Sequence, residues 1–562
     1  MRTQIHTIVA PRGGLNLGLP KDLITDIQLS DAENVIFRDG LIKTRPGYRQ
    51  FGTNQPLSGS LVQIAQFKDF DETSWLFALT DKNIYRGTDI ESDWEIWPGP
   101  NDGDTAYGEE TYGEALYGGA GAGLYGIGLY GAGLYGQSNQ FSGDDNDFWS
   151  FDFVQDLTQD QPWWVATNNV DPVVVFKGGS NTKWEELLST VDGVTFRAKF
   201  LVEFKSHLLF FDTTEGGDRL PQRMRWSNTG DPGNIDTGNA SYIDLPGTDW
   251  ISGAVEFKSD LLCILKEASI WVCWATGDSD IFDVNRKIDG QGCLAPRTVK
   301  VINGNVVFLG RDDVYLFDGV ALYPLGINTD DPQSTKVRQE LISQLNYSQI
   351  ERSFALVHEQ DKEYCIFVPT SGTYPDTAFI YNYELRSWSK NTFANDNITG
   401  YGFFNLSEAV TYDDLVGSYD AQTWRYGERS LSSGSPGLLL GSSDGGVFEY
   451  TTLVTEEDGS IVNRQFDTKD FNFTKIGTAM RINRMDVSYT GSGMDVYYST
   501  DKGSNWNLIK SLDSTVSLSR KKLSFRVTCD WIRFRFRSNE TGGNFQFNRA
   551  NIFWQNAGRI GV

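Results

Sequence analysis

The segment VEFKSHLLFF, Val202 to Phe211, recurs as VEFKSDLLCI, Val255 to Ile264, after a spacing of 53 residues. Each copy continues into a short apolar run ended by turn residues, RMRWSNTGDPGNID after the first and EASIWVCWATGDSD after the second. Both read as strand, turn, strand. A looser third version, VINGNVVFLGRDDVYLFDG from Val301 to Gly319, keeps the rhythm, with Gly304-Asn305 and Asp312-Asp313 as turns between β-branched and aromatic runs. A module that leaves its hydrophobic face open is stable only beside its neighbours, so the repeat predicts a closed ring or a stack.

The 562 residues exceed one compact core, and a large repeat architecture absorbs that length more simply than three or four separate domains. Sixteen Trp, 24 Tyr, 35 Phe and 58 Gly suit sheets with tight turns, which predicts an all-β chain. The formal charge of −25 is unevenly spread: residues 456–562 hold 16 Lys/Arg against 11 Asp/Glu, a net of +5, which leaves −30 for residues 1–455. An acidic body of this size repels nucleic acid over most of its surface and argues against a conventional nucleic-acid binder. No run of 18 or more apolar residues occurs, so no membrane-spanning segment is expected, and MRTQIHTIVAPRGG is too weakly apolar for a secretory signal. The expectation is a protein made and kept in a cytoplasm. Cys263, Cys273, Cys293, Cys365 and Cys529 lack CxxC spacing and read as reduced thiols.

Taken in order, residues 1–59 read as an N-terminal arm with an entry hairpin around Asp39-Gly40, either an edge hairpin closing the first blade or a docking arm. Residues 60–455 read as a β-propeller with irregular blades; about 350 residues at roughly 40–50 per blade allow about seven or eight blades, or six if they are irregular. Two insertions interrupt it. The first, 100–147, is rich in Gly and Tyr: Tyr107, Tyr112 and Tyr117 are five apart, as are Tyr125, Tyr130 and Tyr135. That spacing fits neither the helical nor the strand period, so the six tyrosines read as a linker loop, as a subunit-contact or channel loop, or as aggregation-prone low complexity without a role. The second, 331–347, reads as a helix packed on a blade, with Asp331 as cap, Pro332 in the first turn and Val337, Leu341 and Leu345 four apart. Residues 456–562 read as a C-terminal β-sandwich, in which Arg533, Arg535 and Arg537 alternate with Ile532, Phe534 and Phe536. The three arginines form either a solvated face or a basic contact face for an acidic partner or a phosphate backbone.

Chemistry-bearing patterns are sparse. The only histidines are His6, His207 and His358, without metal-ligand spacing, and no nucleotide-binding or nucleophile motif occurs. No metal and no cofactor is expected. GDDNDF at Gly143 to Phe148 lacks EF-hand spacing and reads as a hydrated loop. SxDxGxxW, Ser499 to Trp506, resembles the Asp-box of sialidases and other propellers; it reads as a turn motif. Paired carboxylates for glycoside hydrolysis stay open, because sequence carries no separation between them.

The ordered series GGLN, LSDAENVIFRDGLIKTRPGY, MRWSNTGDPGNID, YIDLPGTDWISGAVEFKSDLLCILKEASIWVCWATGD and GCLAPRTVKVINGNVVFLGRDDVYLFDG resembles the tail nozzle, or tail hub, proteins of short-tailed bacteriophages, also called packaged-DNA stabilisation proteins. The likeness covers most of residues 10–450, and the Gly-Tyr insertion departs from it. The resemblance implies a β-propeller subunit of a hexameric virion ring below the portal and adaptor proteins of the head–tail connector, beside tail fibres or spikes. Such a ring retains packaged double-stranded DNA and then passes it during ejection without reading its sequence. The expectation is therefore a structural, non-enzymatic protein of the virion tail, assembled in the host cytoplasm. The alternatives are a propeller-type glycan hydrolase or tailspike-like depolymerase, and a glycan-binding adhesin.

Overall fold

The computed structural model describes residues 3–559 apart from 11–12, 39, 69–73, 88–92, 101–139, 159–160, 180, 182, 279, 328–335, 394–396, 405–435, 475–477 and 539–542. The fold is all-β: a β-propeller of four- and five-stranded antiparallel blades with a C-terminal β-sandwich. Its residues divide into two compact units, 50–293 with 399–449, and 1–49 with 294–398 and 450–562.

The first of these holds sheets over Leu61–Ile96, Ser150–Leu188, Thr190–Asp244 and Ile251–Asp289, each an antiparallel meander. The quoted repeat supplies two of them. Phe204 pairs with His207 across Lys205-Ser206, both at positive φ (54° and 60°). Phe257 pairs with Leu261 across a turn in which Lys258 and Ser259 adopt nearly the same angles (53° and 61°). This is the hairpin geometry usually given to Asn-Gly, here taken by Lys-Ser. Alternation then sorts the side chains: Phe204, Leu209, Phe211, Met224, Leu262, Ile264 and Cys273 share one core layer.

Residues from both ends of this unit's sequence meet. Phe51 N donates to Val447 O (2.8 Å), Leu57 N to Gly445 O (2.9 Å) and Thr399 Oγ1 to Leu61 O (2.6 Å). The approach is close enough to require glycine: a Cβ on Gly400 would lie 2.4 Å from Val62 O, and one on Gly402 2.3 Å from Ile64 O.

In the other unit, the strands Phe354–His358 to Ser387–Thr392 form a four-stranded meander that continues, through Asp31–Glu33 and Gln465–Asp467, into Arg533–Ser538, Met494–Ser499 and Asn507–Leu512. Blade and sandwich thus share one nine-stranded sheet. The facing sheet runs Thr515–Cys529, Thr478–Gly491, Phe545–Arg559, Leu41–Thr44, Val35–Arg38, with Gln4–Val9 also on Phe545–Arg559. Between them lie Phe466, Phe534, Phe536, Phe545, Phe547, Met485 and Val487, all 0% exposed. The entry hairpin forms as expected, Val35 opposite Thr44 and Phe37 opposite Ile42. Its role as the edge of the first blade is corrected: Ile42 pairs with Phe547 of the sandwich, because its apolar face completes that core.

The helix is shorter than the expected 331–347, Arg338–Gln344, with Val337 as N-cap residue and no side-chain cap; Asp331 and Pro332 lie outside the described residues. Its four-residue spacing reads correctly, since Val337, Leu341 and Leu345 are all buried in the second unit's core. Among the described residues no helix is long and apolar enough to cross a membrane.

Candidate functional site

The three arginines of the expected basic face are held on one side of their strand, opposite buried Phe534 and Phe536, as alternation requires. They do not form an open face. Arg533 is 4% exposed and donates through Nε and Nη2 to both carboxylate oxygens of Asp470, each at 2.8 Å. Arg535 does the same to Asp467 (2.7 and 2.8 Å) and lies 4.0 Å over the Trp506 ring. Only Arg537 is exposed, bonded to Asn463 Oδ1 at 2.7 Å. The contact-face expectation is corrected for Arg533 and Arg535, because neighbouring aspartates neutralise them inside the fold. The Asp-box explains part of this. Ser499 Oγ donates to Asp501 Oδ1 (2.7 Å), Gly503 N donates to Ser499 Oγ (2.8 Å), and the turn carries Trp506 onto Arg535. Backbone donation from Asn505, with bonds from Ser499 and the Asn505 side chain, holds the Asp501 carboxyl down at about 2.

Tyr107, Tyr112, Tyr117, Tyr125, Tyr130 and Tyr135 lie outside the described residues. GDDNDF turns its carboxylates on its own backbone, Asp147 Oδ2 accepting from Asp144 N (2.9 Å) and Asp144 Oδ1 from Asn146 N (2.8 Å). No group of three metal-ligating side chains gathers among the described residues. His207 is buried and satisfied, with Nδ1 2.6 Å from Ser227 O and Nε2 3.1 Å from Thr229 Oγ1.

Two clusters lie where sequence reading placed none, both in the first unit. In one, the repeat brings carboxylates together on adjacent strands of consecutive sheets, Ser150–Asp156, Val194–Phe204 and Ile251–Phe257. Asp152 Oδ2 accepts from Glu203 N (2.8 Å), and Lys205 of the first VEFK copy reaches Asp260 Oδ1 (2.5 Å) in the turn of the second. Burial pushes the Asp152 carboxyl up to about 6 against the pull of the Glu203 and Phe153 amides, and Glu203 and Glu256 add like-charge repulsion. Glu256 is raised too, by burial and then by Glu203. The equal spacing of Glu203 and Glu256 in the two copies was the available signal; Asp152 had none.

The second cluster stands on the outer strands of the same sheet as the first VEFK copy. Arg219 donates to both oxygens of Asp212 (2.8 and 2.6 Å), Arg223 to both of Asp244 (2.8 and 2.9 Å), and Arg225 to Glu215. The bonds from Arg223 hold Asp244 below the usual carboxylate range. Two aromatic rings lie on these guanidinium planes, Tyr242 3.8 Å from Arg223 and Trp250 4.3 Å from Arg219, and they are 48% and 45% exposed. In RMRW the arginines alternate with buried Met224, so their shared face was legible, but the burial of Arg225 (4% exposed) and the aromatic partners were not.

No known family profile matches the chain, and no curated protein matches it. Solved structures do. The exo-β-1,3-galactanase of Phanerochaete chrysosporium is 9% identical, over 91% of this chain and 100% of its own, with a TM-score of 0.24. The extracellular domain of a one component system from B. thetaiotaomicron is 10% identical over 94% of this chain and 59% of its own, at 0.37. A family 29 carbohydrate binding module matches 21% of this chain and 70% of its own, at 6% identity and 0.14. These proteins are glycan-acting or glycan-binding by their names in two of the three cases, and at such scores the likeness carries no argument about this chain's activity. The expectation of a protein that is not an enzyme is nevertheless withdrawn, as a correction: a glycoside hydrolase stands among the structures the chain is similar to.

Proposed function

We propose that this chain is a structural subunit of the tail of a short-tailed bacteriophage, the nozzle that retains packaged DNA below the portal and adaptor rings and forms the channel for its ejection. The observation that carries this reading is that the ordered series of resembling segments, from MRWSNTGDPGNID through GCLAPRTVKVINGNVVFLGRDDVYLFDG, lies in successive antiparallel meanders as propeller subunits require. The acidic body supports it, since like charge keeps a passing duplex from sticking. The reading places the protein in the virion tail, assembled in the host cytoplasm as a homo-oligomer beside fibres or spikes. Its test is the mass of the purified protein, with negative-stain images alone and after addition of portal and adaptor. A ring, free or formed on that complex, is expected; a monomer that ignores the complex overturns the reading.

A second reading, glycan recognition, is favoured by the exposed rings of Tyr242 and Trp250 backed by planar guanidinium groups, a surface suited to stacking on a sugar face. Saturable binding of host-envelope polysaccharide, lost in Trp250→Ala and Tyr242→Ala with unchanged melting, is the expected result. Binding that both variants retain refutes it.

A further inference from the structure

The positive charge of residues 456–562 is displayed on the sandwich sheet that does not carry Arg533, Arg535 and Arg537. Along Thr515–Cys529 every even-numbered residue from Val516 to Thr528 is exposed. The neighbouring strands, Thr478–Gly491 and Phe545–Arg559, bury Ile482, Met485, Val487 and Ile552 inward, and their register sets Ser488 opposite both Arg520 and Arg549. The outer face therefore holds Arg481, Arg484, Arg520, Lys522, Arg526 and Arg549. Asp486 answers two of them, accepting from Arg484 and Arg520 at 2.5 and 2.6 Å. Lys522, Arg526 and Arg549 have no ion-pair partner among the described residues.

Charge alone on an outer strand is how isolated proteins keep an edge from pairing. Two features differ from that pattern here. Thr515–Cys529 is 15 residues long and ends its sheet, paired on one side only among the described residues. At the same end, Val516 is 103% and Leu518 64% exposed, with Leu508 of the strand Asn507–Leu512 at 52%. Large apolar side chains exposed on a long edge suit a surface that is covered in an assembly.

We propose that this face docks a second copy of this chain, the basic strand Thr515–Cys529 seated against the acidic surface of residues 1–455 of its neighbour. Charge complementarity selects that occupant: the same chain supplies −30 outside the sandwich region and +5 within it. A contact between two different surfaces of one chain is head-to-tail, and it closes into a ring when the rotation per subunit permits. A phosphate backbone is the poorer fit, because Val516 and Leu518 offer it nothing and the chain's net field of −25 repels it. The proposal rests on the ring reading above and names the surface that would build it.

The test uses the full chain in sedimentation velocity and negative stain, across salt concentrations, for the wild type, Arg520→Glu/Lys522→Glu/Arg526→Glu and Val516→Ser/Leu518→Ser. Both variants change exposed side chains, and their melting temperatures report that they fold. Wild-type self-association that weakens with salt, and about tenfold or more weaker association in each variant, is expected. If the wild type and both variants form the same rings, this interface is wrong while the ring reading stands. A wild type that stays monomeric alone at every salt concentration also overturns it, and a ring then built on portal and adaptor keeps the tail reading. Salt-sensitive binding of duplex DNA that the charge-reversed variant loses, without any change in self-association, overturns it in favour of a nucleic-acid face.

Discussion

Substituting Asp470 by Ala isolates the energetics of the Arg533 pair. Both side chains are almost wholly buried, 3% and 4% exposed, and the guanidinium makes two bonds of 2.8 Å to the carboxylate. Removing the carboxylate leaves an almost wholly buried guanidinium in the sandwich without the two bonds that answer its charge. Breaking a buried pair on one side costs about 3–5 kcal/mol. Coulomb attraction between unit charges about 4 Å apart at an effective dielectric of about 20 is about 4 kcal/mol, which agrees. At about 1–2 °C per kcal/mol for a chain of this size, the melting transition should fall by roughly 3–10 °C. Differential scanning calorimetry measures it. The double substitution Asp470→Leu/Arg533→Met should recover most of the loss, because apolar replacement removes the stranded charge as well as the bond. A fall below about 2 °C in Asp470→Ala, or a double variant no better than the single, refutes the placement of this pair in the core.

Three further outcomes are expected. Asp152→Asn should stabilise the protein increasingly as pH rises from about 4 to 7: the folded carboxyl is held up at about 6, so the wild type has no penalty below the unfolded value near 3.9 and bears about 3 kcal/mol at most above pH 6. A stability difference that stays flat over that range in chemical unfolding would count against the carboxylate cluster. Leu341→Ala removes a side chain 1% exposed from the face that seats the helix, costing about 2–5 kcal/mol in urea unfolding; a cost under about 1 would mean the helix is not seated there. Gly402→Ala places a methyl 2.3 Å from the Ile64 carbonyl, backbone against backbone, and should destabilise by more than about 1 kcal/mol, whereas Gly372→Ala, with nothing within 4 Å, should be neutral.

How far residues could be read depended on whether a local pattern or a distant partner decided them. The VEFK hairpins, the Asp39-Gly40 hairpin, the inward Phe534 and Phe536, and the Val337, Leu341, Leu345 stripe were all legible, because period and turn chemistry act within a few residues. Among the described residues helical hydrogen bonding begins with Leu341 N to Val337 O, later than the expected start, while Asp331 and Pro332 lie outside them. The continuity of blade and sandwich was not legible. It depends on Asp31–Glu33 joining Ser387–Thr392 to Gln465–Asp467, residues hundreds of positions apart.

Sequence by itself determined the all-β class, the blade rhythm, the uneven charge and the faces of individual strands, since each follows from side-chain alternation and composition. Tertiary structure decided which charges are free. Asp467 and Asp470 reach Arg535 and Arg533 from 68 and 63 residues away and silence the most obvious basic stripe. Lys522 and Arg526 of one strand and Arg549 of another are set on one open face by sheet register. The physical reason is that a charge's role depends on what lies within a few ångströms and on how much water remains around it, and strand pairing between distant segments sets both.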